Sequence, residues 1–151
     1  MERKREKYGW VVFLFLGILW FVVGFTQASA AFKMEELTEK DAQHVAGMSL
    51  SELDASSPMA YVMIRWLYGN LGLLKIGWSF FLIAVTLTGY RKGEKWAWYT
   101  LWIAPVQLVG AGVFNSVFFG DFNEMLQWVP ITTISLIVLF LHYRKFFPKY
   151  I

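Results

Sequence analysis

Apolar residues fall in four long runs, and polar residues gather between them. The first run covers about residues 9–31, opens "GWVVFLFLGILWFVVGF" and carries no charge. The second follows Pro58 and covers about 59–89, the third 96–119 and the fourth 128–143. The first three exceed the roughly 18 residues that mark a transmembrane helix, and the fourth is a short span. In hydrocarbon every backbone amide needs a partner within its own segment, so these runs predict helices. They are too long for barrel strands, which are about 10 residues of alternating polarity. The expected fold is all-α: an integral membrane four-helix bundle forming a single membrane domain over residues 1–151. A short helical extracytoplasmic segment, 32–58, lies between helices 1 and 2.

Composition supports this. The 151 residues are 57% hydrophobic, 19% aromatic and only 17% charged. A soluble domain of that size has too little interior for so much apolar surface, and lipid is the natural solvent for the excess.

The charges then set an orientation. Arg3, Lys4, Arg5, Lys7, Arg91, Lys92, Lys95, Arg144, Lys145 and Lys149 share one side if the spans alternate in direction. The other side holds Lys33 and Lys40 among acids: Glu35, Glu36, Glu39, Asp41, Glu52, Asp54, Asp121 and Glu124. By the positive-inside rule, both termini lie in the cytoplasm and the chain is a multi-pass protein of the cell membrane. Residues 1–30 also resemble a signal peptide, with an A-x-A pattern at Ala28 to Ala30. The over-long apolar run, with Gly17 and Gly24 seven residues apart, favours a retained span.

The stretch "YRKGEKWAWYTLW" becomes a cytoplasmic turn on this topology. Tyr90, Trp96, Trp98 and Tyr99 are expected at headgroup depth, with Arg91, Lys92 and Lys95 facing anionic lipid. Gly93 lets the chain reverse. Nucleic-acid binding would need a broader basic surface on a soluble stacking platform, so no nucleic acid partner is expected.

In the outer segment, Thr38 with Asp41 and Ser49 with Glu52 have the spacing of capping boxes, and Gly47 punctuates between them. Two short helices are predicted, with Met48, Leu50 and Leu53 turned towards the bundle. The acids lack the Gly-centred loop of a calcium site and read as a solvated face.

Polar residues inside the spans are the candidates for chemistry. Arg65, Gly69, Gly72, Lys75, Ser79 and Thr86 recur at helical steps and share a face of the second span. Together with Gly17, Gly24 and Gly110, Gly69 and Gly72 predict close helix packing. Lys75 lies roughly 22 Å from Tyr90 along a helix, near the bilayer midplane, and Arg65 about 15 Å farther out. A lysine at the midplane costs about 2.5–3.5 kcal/mol on insertion scales and is a functional candidate for that reason. Without a carboxylate in the spans it has to be solvated by Gln107, Asn70 or Ser79, be reached by water, or be neutral, and Arg65 is expected to anchor at the interface, paired with Asp54 or Glu52. Arg65, Lys75, Gln107 and Asn115 would line a cavity between the second and third spans. Pro105 is expected to kink the third span beside Gln107, and Pro130 to sit in the first turn of the fourth.

Catalytic signals are missing. There is no cysteine, and His44 and His142 fall on opposite sides of the membrane, so no metal centre is expected. No Walker loop or G-x-S-x-G elbow occurs, and no cofactor is expected.

Arg91 to Trp98 reads R-K-G-E-K-W-A-W. It resembles the R-x-G-E-[K/R]-W-A-W turn of small uncharacterised four-helix membrane proteins of prokaryotes. The resemblance covers about residues 48–105 and implies topology without activity. Four-helix sterol-isomerase-like proteins carry acids inside the membrane, which these spans lack. The expected function is that of a structural or accessory subunit. It would act through helix–helix contacts with itself or a larger membrane complex. The alternative is a small-molecule or lipid-binding protein, an enzyme or transporter, using the cavity named above.

Overall fold

The computed structural model describes residues 4–33, 43, 47–119 and 122–148. It is all-helical, with no strand among the described residues. The elements are α1 (Lys4–Lys33), α2 (Leu50–Ser56), α3 (Pro58–Val85, continued by a π turn at Thr86–Tyr90), α4 (Lys95–Leu101), α5 (Ile103–Phe119) and α6 (Phe122–Phe146). Four stretches are long and apolar enough to cross a membrane: Tyr8–Phe32, Pro58–Tyr90, Lys95–Val117 and Trp128–Phe146. The chain clusters into two compact units, Ile18–Phe80 and Met1–Gly17 with Phe81–Ile151.

The Ile18–Phe80 unit holds the second half of α1, α2 and most of α3. α2 starts where Ser49 and Glu52 cap each other. The Ser49 hydroxyl accepts from the Glu52 N–H at 3.1 Å, and the Ser49 N–H donates to the Glu52 carboxylate at 2.8 Å. These bonds, the backbone one first, hold the Glu52 carboxyl below its ordinary pKa. α2 buries Leu50 and Leu53. Ser57 closes it by donating its N–H to the Leu53 carbonyl, and Tyr61 then donates back to Ser57 as α3 begins. Pro58 opens α3, where its missing N–H leaves nothing unpaired. The expected Thr38–Asp41 box and His44 lie outside the described residues.

Glycines decide how α1 meets α3 in this unit. A Cβ on Gly72 would strike the Ala28 nitrogen and would lie 2.7 Å from the Gly24 carbonyl. One on Gly24 would lie 2.8 Å from the Gly72 carbonyl and 2.9 Å from the Ile76 nitrogen. Backbone therefore meets backbone at this crossing, which any side chain would push apart.

The other unit is organised around the turn after α3. Gly93 adopts φ +82°, a left-handed conformation that costs a residue with a Cβ about 1–2 kcal/mol. The Gly93 N–H donates to Tyr90 and the Glu94 N–H to Gly89, which terminates the helix as a Schellman motif. Behind it, Phe13, Tyr90, Trp98, Leu101, Leu139 and Phe146 form a buried core. Ring pairs Phe13–Tyr90 and Tyr90–Phe146 lie 5.2 and 4.8 Å apart.

Two proline expectations need correction. Pro105 has no N–H for the Leu101 carbonyl, and helical geometry breaks at Trp102, between α4 and α5. The interruption thus falls before Pro105 rather than beside Gln107. α6 begins at Phe122, so Pro130 lies inside the helix and not in its first turn. Six residues ahead of the apolar run join the helix, which hydropathy alone does not reveal.

Candidate functional site

Polar groups in the spans fall into separate sites. In the Ile18–Phe80 unit, Lys75 Nζ donates to Gln27 Oε1 at 2.6 Å, tying α3 to α1. The acceptor is thus an amide of α1, and not Gln107, Asn70 or Ser79 as expected. Ser79 donates instead to the Ile76 carbonyl, and Asn70 to the Trp66 carbonyl. Gln27 is the one side-chain amide in the first apolar run, a signal that could have marked it.

Arg65 lies about 15 Å from Lys75 along α3. Its Nε–H donates to the Ala31 carbonyl at 3.1 Å, and its guanidinium lies 6.0 Å from the Tyr61 ring centroid. Arg65 thus binds α1 backbone, while Glu52 is engaged by Ser49. Beside Arg65 is an open groove of about 430 Å³ between α1 and α3. Ala28, Ala31, Val62, Gly69 and Leu73 give it an apolar lining, with Arg65, Trp66 and Asn70 as its polar members. Gly69 helps to shape it, since a Cβ there would lie 3.4 Å from that of Ala31.

Gln107 and Asn115 belong to the other unit. Asn115 is half-buried, whereas Gln107 is exposed on α5 with no side-chain partner among the described residues. Gly110, Ala111 and Phe114 follow at helical steps and are also exposed. A Cβ on Gly110 would meet nothing within 4 Å, so this glycine makes no close packing among the described residues. Gly17, by contrast, abuts Ile83, whose Cγ1 lies 2.6 Å from the position a Cβ would take.

The rings of the turn divide between surface and core. Trp96 and Tyr99 are exposed. Tyr90 and Trp98, expected at the lipid interface, are 0% and 9% exposed. Trp98 lies on the inward face of α4 with Ala97 and Leu101, and its indole N–H donates to the Leu139 carbonyl at 3.0 Å. Arg91 and Lys95 cover rings, those of Trp10 and Phe147, at 5.0 and 5.5 Å from the centroids. Lys92 is exposed, and Lys145 Nζ donates to the Arg91 carbonyl.

Other features of this unit give no signal in the sequence. His142 is buried, with Nδ1 2.7 Å from the Val138 carbonyl and its ring where a Cβ on Gly9 would be. The Tyr90 hydroxyl and the Trp102 indole nitrogen are buried without a hydrogen-bond partner among the described residues. A smaller apolar pocket of about 160 Å³ lies between α5 and α6, with Leu108, Val113 and Thr132 in its wall. No cluster of metal-ligating side chains occurs among the described residues. No family model matches the chain, and no curated protein or solved structure shows significant similarity to it.

Proposed function

We propose that this chain is a small multi-pass membrane protein that acts through helix–helix contacts, self-associating through the outer face of α5. The reading rests on Gln107. It is exposed in a stretch otherwise solvated by hydrocarbon, its amide has no partner among the described residues, and Gly110 and Ala111 beside it leave room for close approach. A glutamine both donates and accepts, so two copies related by a two-fold axis satisfy each other's amides. Such bonds between membrane helices contribute about 0.6–2 kcal/mol.

The membrane setting is supported by the outward apolar side chains of the four spans. Phe15, Trp66, Val117 and Phe140 are among those more than 60% exposed. Patches of that extent are unfavourable in water. The charge distribution supports cytoplasmic termini and an external α2.

Self-association is tested by single-molecule photobleaching in liposomes, across a series of lipid dilutions. Gln107→Leu is expected to weaken dimerisation roughly 3- to 30-fold, the equivalent of that bond energy. Gly110→Cys, in a chain without cysteine, should form a disulfide-linked dimer on oxidation, whereas Gly77→Cys on α3 should not. A wild-type protein that remains monomeric at every dilution defeats the proposal.

A further inference from the structure

We infer that the groove between α1 and α3 holds an anionic phospholipid, with the lipid phosphate at Arg65 and an acyl chain along Ala28, Val62, Gly69 and Leu73. The inference rests on the membrane reading but not on self-association through α5.

The chemistry of the groove selects the ligand. Its volume of about 430 Å³ falls in the range of small-molecule sites, and its lining is mainly aliphatic. A free phosphate would leave that lining unused, and a purely apolar molecule would leave the cation unused. A phosphate attached to a hydrocarbon chain satisfies both.

Arg65 is prepared for such a head. Only its Nε–H is held, by the Ala31 carbonyl, and the terminal nitrogens have no hydrogen-bond acceptor among the described residues. That bond aims the planar fork, leaving Nη donors suited to two phosphate oxygens. Asn70 commits its Nδ2 to Trp66, and its Oδ1 remains to accept from a headgroup hydroxyl.

Depth agrees with the chemistry. Arg65 is seven residues into α3, about 10 Å along the axis from Pro58, where a long cation reaches the phosphate layer. The exposed carboxylates of α2, Glu52 and Asp54, are not in the groove lining.

The experiment measures thermal stabilisation of detergent-solubilised full-length protein by phosphatidylglycerol and by phosphatidylcholine. Resistance of the membrane-bound protein to alkaline carbonate is established first. Release by carbonate would overturn the membrane reading and the site together, whereas the outcomes below concern the site alone. Phosphatidylglycerol is expected to bind the wild type about tenfold more tightly than phosphatidylcholine, because both carry the phosphate but the choline head sets a second cation against Arg65 and has no hydroxyl for Asn70. Arg65→Gln should abolish that preference, and Lys92→Gln in the basic turn should preserve it. Val62→Trp keeps the cation and fills the groove, so it should lose phosphatidylglycerol binding while melting like the wild type without lipid. Equal binding of the two lipids overturns the proposal, as does undiminished binding by Val62→Trp. Loss in Lys92→Gln equal to that in Arg65→Gln would reveal bulk electrostatic attraction instead. Displacement of the lipid by millimolar inorganic phosphate would reveal a free-anion site, which also overturns it.

Discussion

Lys75 lies among apolar neighbours on α3, and an amide of α1 receives its ammonium. Its donor to Gln27 Oε1 is 2.6 Å away and 48 residues distant in sequence, so the pair both satisfies a costly cation and joins α1 to α3. The two side chains should therefore be coupled. Gln27→Leu takes this acceptor from the ammonium and should cost about 1.5–3 kcal/mol, the range for hydrogen bonds to charged groups. Lys75→Met should cost less, because it also removes an insertion cost from the membrane interior. The double variant should then be more stable than Gln27→Leu alone. Melting in detergent around this double-mutant cycle provides the check. Strict additivity of the two single changes would show that the bond stores no coupling energy.

Between elements, the glycines are not equivalent, and their neighbours predict how each responds to substitution. Gly72→Leu pushes a side chain into the Ala28 backbone of α1, and should destabilise by at least about 3 kcal/mol, the upper range for overpacking. Backbone cannot rotate away as a side chain can. Gly93→Ala meets only the Lys145 side chain, at 3.5 Å, so its cost is the left-handed φ alone, about 1–2 kcal/mol. Gly77→Leu meets open space and should melt near the wild type. Detergent melting of the three variants checks this order. If Gly72→Leu melts like the wild type, the α1–α3 contact is absent in solution.

For the whole molecule, the asymmetry of charge is the quantity to test. Cysteines at Lys92 and Lys145, on the basic side, should be shielded from an impermeant thiol reagent in intact cells. Asp54→Cys on α2, exposed and on the acidic side, should be labelled. The background is clean, because the natural chain has no cysteine. Labelling at position 92 in intact cells would reverse the orientation, and labelling at both 54 and 92 would deny alternating spans.

The sequence by itself determined the elements whose causes are local. Long apolar runs have to become helices in any solvent that offers no hydrogen bonds, and the structure is helical over all four but for the break at Trp102. The Ser49–Glu52 cap was legible because both partners lie within one turn, and the Gly93 turn because only a left-handed residue closes a Schellman motif. Arg65 and Lys75 stood out as charges among apolar neighbours. Only the tertiary structure decided what they meet. Periodicity places residues on a helix face without saying which helix that face will find, so Gln27 and Ala31 were not readable as partners. The same gap concealed the burial of Trp98 and Tyr90, since an aromatic ring suits a protein core as well as a headgroup layer. It also concealed the difference between Gly72 and Gly110, which share a residue type and an apolar helical setting but not a neighbour. Contacts between segments far apart in sequence depend on how the helices cross, and that is a property of packed backbones rather than of any one stretch of chain.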